Sequence, residues 1–207
     1  MRPVLLDVEE YEHRPSSRRA LLRAAAAAGA VASVPLIGRL VRVPDAGAAP
    51  SKAQDAKILQ LVLQLEYTKV AFYEQALKEA SLTGELRTFA TTALQHEREH
   101  LAAIKNALGA QAGPKPSFDF GEKTRSAGAF TRTAIALEDA AVAGYNGQAT
   151  NLTKPTLAAA AKIVSVEARH AAWVRAISGV VAAPHPVDKP LTAAQVAQRL
   201  HAIGLKA

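Results

Sequence analysis

Residues 65–73 read LEYTKVAFY and residues 137–145 read LEDAAVAGY. The two stretches agree at five of nine positions: Leu, Glu, Val, Ala and Tyr. Each is followed by a Glu-x-x-His, EREH at 97–100 and EARH at 167–170, and the Glu-to-Glu separations are 31 and 29 residues. One helical hairpin is therefore written twice, which is the expected origin of a two-fold symmetric site.

Outward from these motifs the apolar spacing predicts four long helices, at roughly 53–80, 84–108, 126–149 and 155–179. Ser81 to Gly84 breaks the first pair and Thr150 to Pro155 the second, with Pro155 suited to a first helical turn. Both breaks are short, so each pair should be an antiparallel hairpin. The connection between the pairs is different. Residues 110–123 and their flank, GAQAGPKPSFDFGEK from Gly109, are rich in Gly and Pro and do not read as helix. About 16 extended residues span ~50 Å, and a 26-residue helix is only ~39 Å long, so this loop can cross the whole length of a bundle. The fold class is all-α: a four-helix bundle of two antiparallel hairpins joined by a long crossover. Residues 190–204, PLTAAQVAQRLHAIG, read as a short C-terminal helix with Thr192 as a possible N-cap.

Four glutamates sit where leucines should. Glu66 is ringed at helical spacing by Leu59, Val62, Leu63, Val70 and Tyr73, and Glu97 by Phe89, Ala90, Ala93, Leu101 and Ile104. Glu138 has Phe130, Ala134, Ile135, Val142 and Tyr145 around it, and Glu167 has Ile163, Val164, Ala171 and Val174. A charge on an apolar stripe is costly unless it is paired or bound to metal. Each glutamate falls mid-helix, so the four would converge at one level of the core. Positions i and i+3 lie about 60° apart around a helix, so His100 and His170 can reach the same centre as Glu97 and Glu167. Two divalent cations would balance four carboxylates, and an oxygen-rich set with one imidazole per metal suits iron or manganese better than copper or zinc. A lone Glu or a lone Glu-x-x-His is ordinarily a solvated helix feature; the ordered set inside a repeat is far more specific. Tyr73 and Tyr145 each lie two turns after their glutamate. They read either as core fillers, or as candidate catalytic residues that hydrogen-bond to a metal-bound carboxylate or serve as redox-active phenols beside it. His96 is one step off the ligand face, and Glu74, Glu99 and Asp139 read as solvated.

The composition agrees. Hydrophobic residues make up 49% of the chain and aromatics only 5%, which favours helices over sheets. The net charge of +7 is diffuse and no dense basic patch carries interleaved aromatics, so no nucleic-acid partner is expected. The absence of cysteine excludes disulfides, iron–sulfur clusters and Cys-ligated zinc.

The first 48 residues read as an address. SRRALLR at 17–23 precedes an apolar run from about Ala24 to Ile37, too short for a comfortable membrane span of ~20 residues. The Ser-Arg-Arg start resembles a twin-arginine export signal, and Ala46-Gly47-Ala48 offers a cleavage site after Ala48. An amphipathic first helix and an uncleaved anchor are the other readings of this stretch. The expected organisation is a signal segment at 1–48, a bundle at 49–182 and a tail at 183–207. No stable membrane span is expected in the mature chain, which would be periplasmic, extracytoplasmic or secreted.

The ordered set Glu66, Glu97-x-x-His100, Glu138, Glu167-x-x-His170 resembles the ferritin-like superfamily, and the tail is similar to those of exported ferritin-like domain and desiccation-related proteins. The resemblance covers roughly residues 53–180. It implies that Glu66, Glu97, His100, Glu138, Glu167 and His170 hold two iron ions or two manganese ions, with Glu97 and Glu167 bridging and Tyr73 and Tyr145 close by. Arg98 stands where a bacterioferritin has its haem-binding methionine, so no haem is expected. With no cysteines, a rubredoxin-like module is also excluded. The mature chain has only 13 acidic residues, little for a mineral-storing cage. The implied function is a di-iron or di-manganese oxidoreductase (ferroxidase, peroxidase or catalase-like) that consumes O2 or peroxide in stress defence. The alternative is a non-catalytic metal-binding or structural stress protein of the cell envelope. Homo-oligomers are common among such proteins.

Overall fold

The computed structural model describes residues 49–206. The signal-segment reading of residues 1–48 lies outside the described residues. Within them the regular structure is helical, with five α-helices: α1 Lys52–Glu79, α2 Gly84–Leu108, α3 Ala127–Gln148, α4 Lys154–Ile177 and α5 Ala193–Ile203. The first four match the sequence-based bounds to within two residues. No described helix is long and apolar enough to cross a membrane.

Local chemistry sets the helix ends. Ser51 and Ser126 cap α1 and α3, each hydroxyl accepting from the backbone N–H three residues on, at 3.1 and 3.2 Å. Pro155 occupies the first turn of α4, where its missing N–H has no consequence. Thr192 and Gln195 form a reciprocal capping box on α5. At the turn between α1 and α2, Ser81 takes a positive φ of 49°, and the buried Leu82 plugs the end of the core.

The helices α1 and α3 run antiparallel, since Glu66 meets Tyr145 while Glu138 meets Tyr73. With α1 and α2 forming one hairpin and α3 and α4 the other, α2 and α3 must run parallel, and the crossover must travel the length of the bundle. It does so along α1. The Gln60 side chain donates to the Gln111 carbonyl and accepts from the Gly113 N–H, and at the far end Thr124 donates to Glu79 at 2.7 Å. The tail closes over the same crossover. The Asp119 N–H donates to the Gly204 carbonyl at 2.8 Å, the Lys206 N–H donates to Ser117 at 3.0 Å, and Phe118 bridges to Leu205. Gly204, at φ 151°, passes so close to Asp119 that any side chain there would strike its carbonyl.

The core has two apolar clusters. One lies toward the C-terminal end of α1 and includes Phe72, Phe89, Phe120 and Phe130, with Phe72 and Phe130 stacked at 5.5 Å. The other lies toward its N-terminal end and is aliphatic, built on Ile58, Val62, Leu63, Ile104 and Leu108. The polar residues Glu66 and Lys69 fall on α1 between them.

Candidate metal centre

Each of the four central helices delivers one fully buried glutamate, Glu66, Glu97, Glu138 and Glu167, all at 0% exposure. His170 from α4 is buried with them, and His100 from α2 sits at the rim. These six residues form two overlapping groups of potential ligands: Glu66, Glu97, His100 and Glu167, and Glu97, Glu138, Glu167 and His170. Within each group the ligand atoms lie within 4.8 Å of one another. Glu97 and Glu167 belong to both. The structure thus brings together all six residues that the sequence singled out.

Both tyrosines reach the cluster, and they cross over to do so. Tyr145 on α3 donates its hydroxyl to Glu66 on α1 at 2.9 Å, and Tyr73 on α1 donates to Glu138 on α3. Burial and the facing carboxylates push both phenols well above their usual pKa, so they stay protonated and act as donors. Each tyrosine therefore holds the opposite half-repeat's carboxylate.

Two participants were not legible as such in the sequence. The first is Lys69. It is fully buried, and its Nζ donates to Glu167 Oε2 while lying 2.8 Å from Glu97 Oε1 and 3.0 Å from Glu138 Oε2. Burial alone would drive the amine toward its neutral form. Glu138, Glu167, Glu97 and Glu66 outweigh that and hold its pKa well above the usual lysine range. The signal was present in the spacing, since Lys69 stands three residues after Glu66, as His100 does after Glu97 and His170 after Glu167. The second is His96, whose Nδ1 lies 2.9 Å from His170 Nε2 with the rings stacked. His170 Nδ1 meanwhile faces Glu97 Oε1 at 3.1 Å and Glu138 Oε2 at 3.6 Å. His96 fixes the ring that faces the carboxylates, as partners outside a ligand shell commonly do. Together with Glu99, His100, Arg169 and Trp173 it lines a surface pocket on the histidine side of the cluster.

The remaining sequence readings resolve on the surface. Glu74 pairs with Arg98 at 2.8 Å across α1 and α2, and Asp139 pairs with Arg175. Trp173 packs edge-on against Phe89 at 5.3 Å.

Electrostatics divide the cluster unevenly. Burial pushes Glu66 well above the usual carboxylate range, with Lys69 opposing and Glu167 and Glu97 adding to the push. Glu97 feels the same burial, but Lys69, His100 and His170 outweigh it and hold it well below. Glu138 is likewise held down against burial, by Lys69 and His170. Burial and Glu97 raise Glu167 to about 7. Burial pulls both histidines down, yet His100, bonded to Glu167 and Glu97, and His170, bonded to Glu138 and Glu97, each rise to about 9. Lys69, His100 and His170 thus set positive charge among the four carboxylates before any metal enters.

The residues fit a metal. Glu66 Oε2 is buried with no hydrogen-bond partner. Glu97 Oε1 and Glu138 Oε2 face Lys69 and His170, and Glu167 Oε1 faces His100 at 2.9 Å. Carboxylate oxygens from all four helices, gathered with the imidazoles within 4.8 Å in each donor group, are an arrangement that a divalent cation satisfies.

A four-helix bundle with a long crossover and a buried carboxylate–histidine cluster defines a class of helical proteins compatible with metal binding. The ferritin-like domain family matches the chain over residues 54–180, and the chain belongs to it. A search of curated proteins gave no match.

Proposed function

We propose that the cluster binds iron or manganese and that the protein, exported by its twin-arginine-type segment, consumes O2 or peroxide outside the cytoplasm. The carrying observation is the pair of overlapping donor groups, in which four fully buried glutamates, one from each central helix, meet two histidines. Bound iron or manganese would supply electrons to the oxidant, which carboxylates and imidazoles alone cannot do. The chain's own residues bind and orient. Glu97 and Glu167 serve both donor groups. Tyr73 and Tyr145 hold Glu138 and Glu66 in place, and His96 fixes His170. The pocket beside His96 and His100 offers the small oxidant a way in.

Anaerobic titration with Fe(II) or Mn(II), followed by exposure to O2 or H2O2, tests this. Saturable metal uptake and steady-state consumption of oxidant are expected. Failure to bind either metal ends the proposal. Lys69 favours a second reading, a non-catalytic metal-binding or structural bundle of the cell envelope, because it neutralises part of the cluster without any metal. Metal uptake without turnover would select the binding reading.

A further inference from the structure

We propose that Lys69 takes the place of one of two metal ions, so that the chain holds a single ion in the group Glu66, Glu97, His100 and Glu167. This rests on the metal-binding reading and replaces the two-ion expectation drawn from the ligand pattern.

The position of Nζ carries the inference. Its partners are Glu97, Glu138 and Glu167, three of the four members of the second donor group. Glu97 and Glu167 belong to both groups, so the choice falls to the other two carboxylates: Nζ pairs with Glu138 of the second group and makes no ion pair with Glu66 of the first. The ammonium therefore stands where an ion held by Glu97, Glu138, Glu167 and His170 would stand. Full burial leaves the side chain no exposed alternative in this packing.

The repeat shows that this is a difference between the halves. Aligning LEYTKVAFY with LEDAAVAGY places Lys69 opposite Ala141, which is also fully buried. A methyl group there supplies no cation to the first group. One half-site is thus filled by the chain's own ammonium, while the other keeps its donors and has no lysine.

Charge arithmetic points the same way. With metal bound, the ligating carboxylates are ionised and the imidazoles neutral, so the four carboxylates carry −4. Lys69 with one divalent ion leaves −1, and Lys69 with one trivalent ion leaves zero. Lys69 with two divalent ions gives +1, with three cations crowded among ligands that lie within a few ångströms of one another. Like charges at such separations in a buried site repel strongly. A single ion also changes the chemistry on offer, since one metal going from the divalent to the trivalent state releases one electron, where a pair releases two.

The test is anaerobic titration of the full-length protein with Mn(II), read by elemental analysis and electron paramagnetic resonance. The wild type should bind one Mn(II) per chain with the spectrum of an isolated ion. Lys69→Ala should bind two, with the spectrum of a coupled pair. Lys69→Met, which keeps the stem and removes the charge, is the second variant in case the cavity left by alanine impairs folding, and it too should bind two. Lys69→Arg should stay at one. Two ions in the wild type, or one in both uncharged variants, would overturn the assignment while leaving metal binding intact. An empty wild type beside metal-binding uncharged variants would show that the ammonium excludes both ions, which overturns it as well. No metal in any of these proteins would sink the metal-binding reading and this inference with it.

Discussion

The two hairpins share a skeleton and differ at its centre. Glu66 and Glu138, Tyr73 and Tyr145, and the two Glu-x-x-His pairs are related by the repeat, and the tyrosines exchange partners across it. Lys69 and Ala141 break the symmetry, and the charge state follows. Glu138, beside the ammonium, is held in its ionised form, whereas Glu66 is pushed toward its protonated one. A duplicated scaffold needs only one buried side chain to turn two equivalent half-sites into different ones.

The strongest way to break this comparison is to exchange the pair. The double variant Lys69→Ala with Ala141→Lys should move the internal cation to the other half. Metal binding should then survive His100→Ala and be lost on His170→Ala, the reverse of the wild-type pattern. Affinity for Mn(II) in the four proteins reads this out. Unchanged histidine dependence would show that the ammonium does not choose the half-site.

The next largest effect is on stability. Removing one partner of a buried ion pair leaves uncompensated charge and typically costs about 3–5 kcal/mol. Metal-free Lys69→Met should lose about that much in denaturant unfolding with a chelator present. Saturating Mn(II) should restore most of it, since ligands that bind only the folded state stabilise it. Ala141→Val is the matching control, because it adds volume to the other half without touching a charge. A loss in Lys69→Met no larger than in that control would mean that the carboxylates do not need the ammonium.

The helices and the six residues of the cluster were legible because their signals are local. Apolar spacing around Glu66, Glu97, Glu138 and Glu167 marks positions where a charge does not belong, and Gly84 and Pro155 punctuate the hairpins. Lys69 was illegible for the opposite reason. A lysine three residues after a glutamate is ordinarily a solvated surface pair, and its long stem reaches water from most helix faces. Only the packing of α2, α3 and α4 around α1 removes that option. His96 meets His170 from a different helix, and the tyrosine exchange needs α1 and α3 to be antiparallel neighbours. Sequence spacing shows which residues share a helical face, and tertiary packing decides what that face meets.

The charge difference between the halves should also show in the tyrosines. Tyr73 donates to a carboxylate held toward its ionised form and Tyr145 to one that burial pushes toward its protonated form. Hydrogen bonds to charged groups contribute about 1.5–3 kcal/mol and neutral ones about 0.5–1.5. In the metal-free protein, Tyr73→Phe should therefore destabilise more than Tyr145→Phe. Equal losses in urea unfolding would mean that Glu66 and Glu138 carry the same charge.

The smallest effect concerns a polar tie that joins the hairpins at one end of the bundle. Asp55, buried in the first turn of α1, accepts the Thr153 N–H at 2.9 Å and the hydroxyls of Thr153 and Thr156. Thr153 makes no cap of its own, so the first hairpin supplies the anion for the N-terminus of α4, where the helix dipole favours one. Burial acts to raise the Asp55 pKa, but these three hydrogen bonds outweigh it and lower it from the usual 3.8. A carboxylate with a depressed folded-state pKa adds stability above its unfolded pKa and loses it as pH falls through the folded value. Asp55→Asn should thus cost about 1 kcal/mol at neutral pH, the usual size of a lost cap. The gap to the wild type should close in acid, well below pH 4. Denaturant unfolding of both proteins across that range checks it. A gap that persists in acid would assign the contribution to the shape of the side chain rather than to its charge.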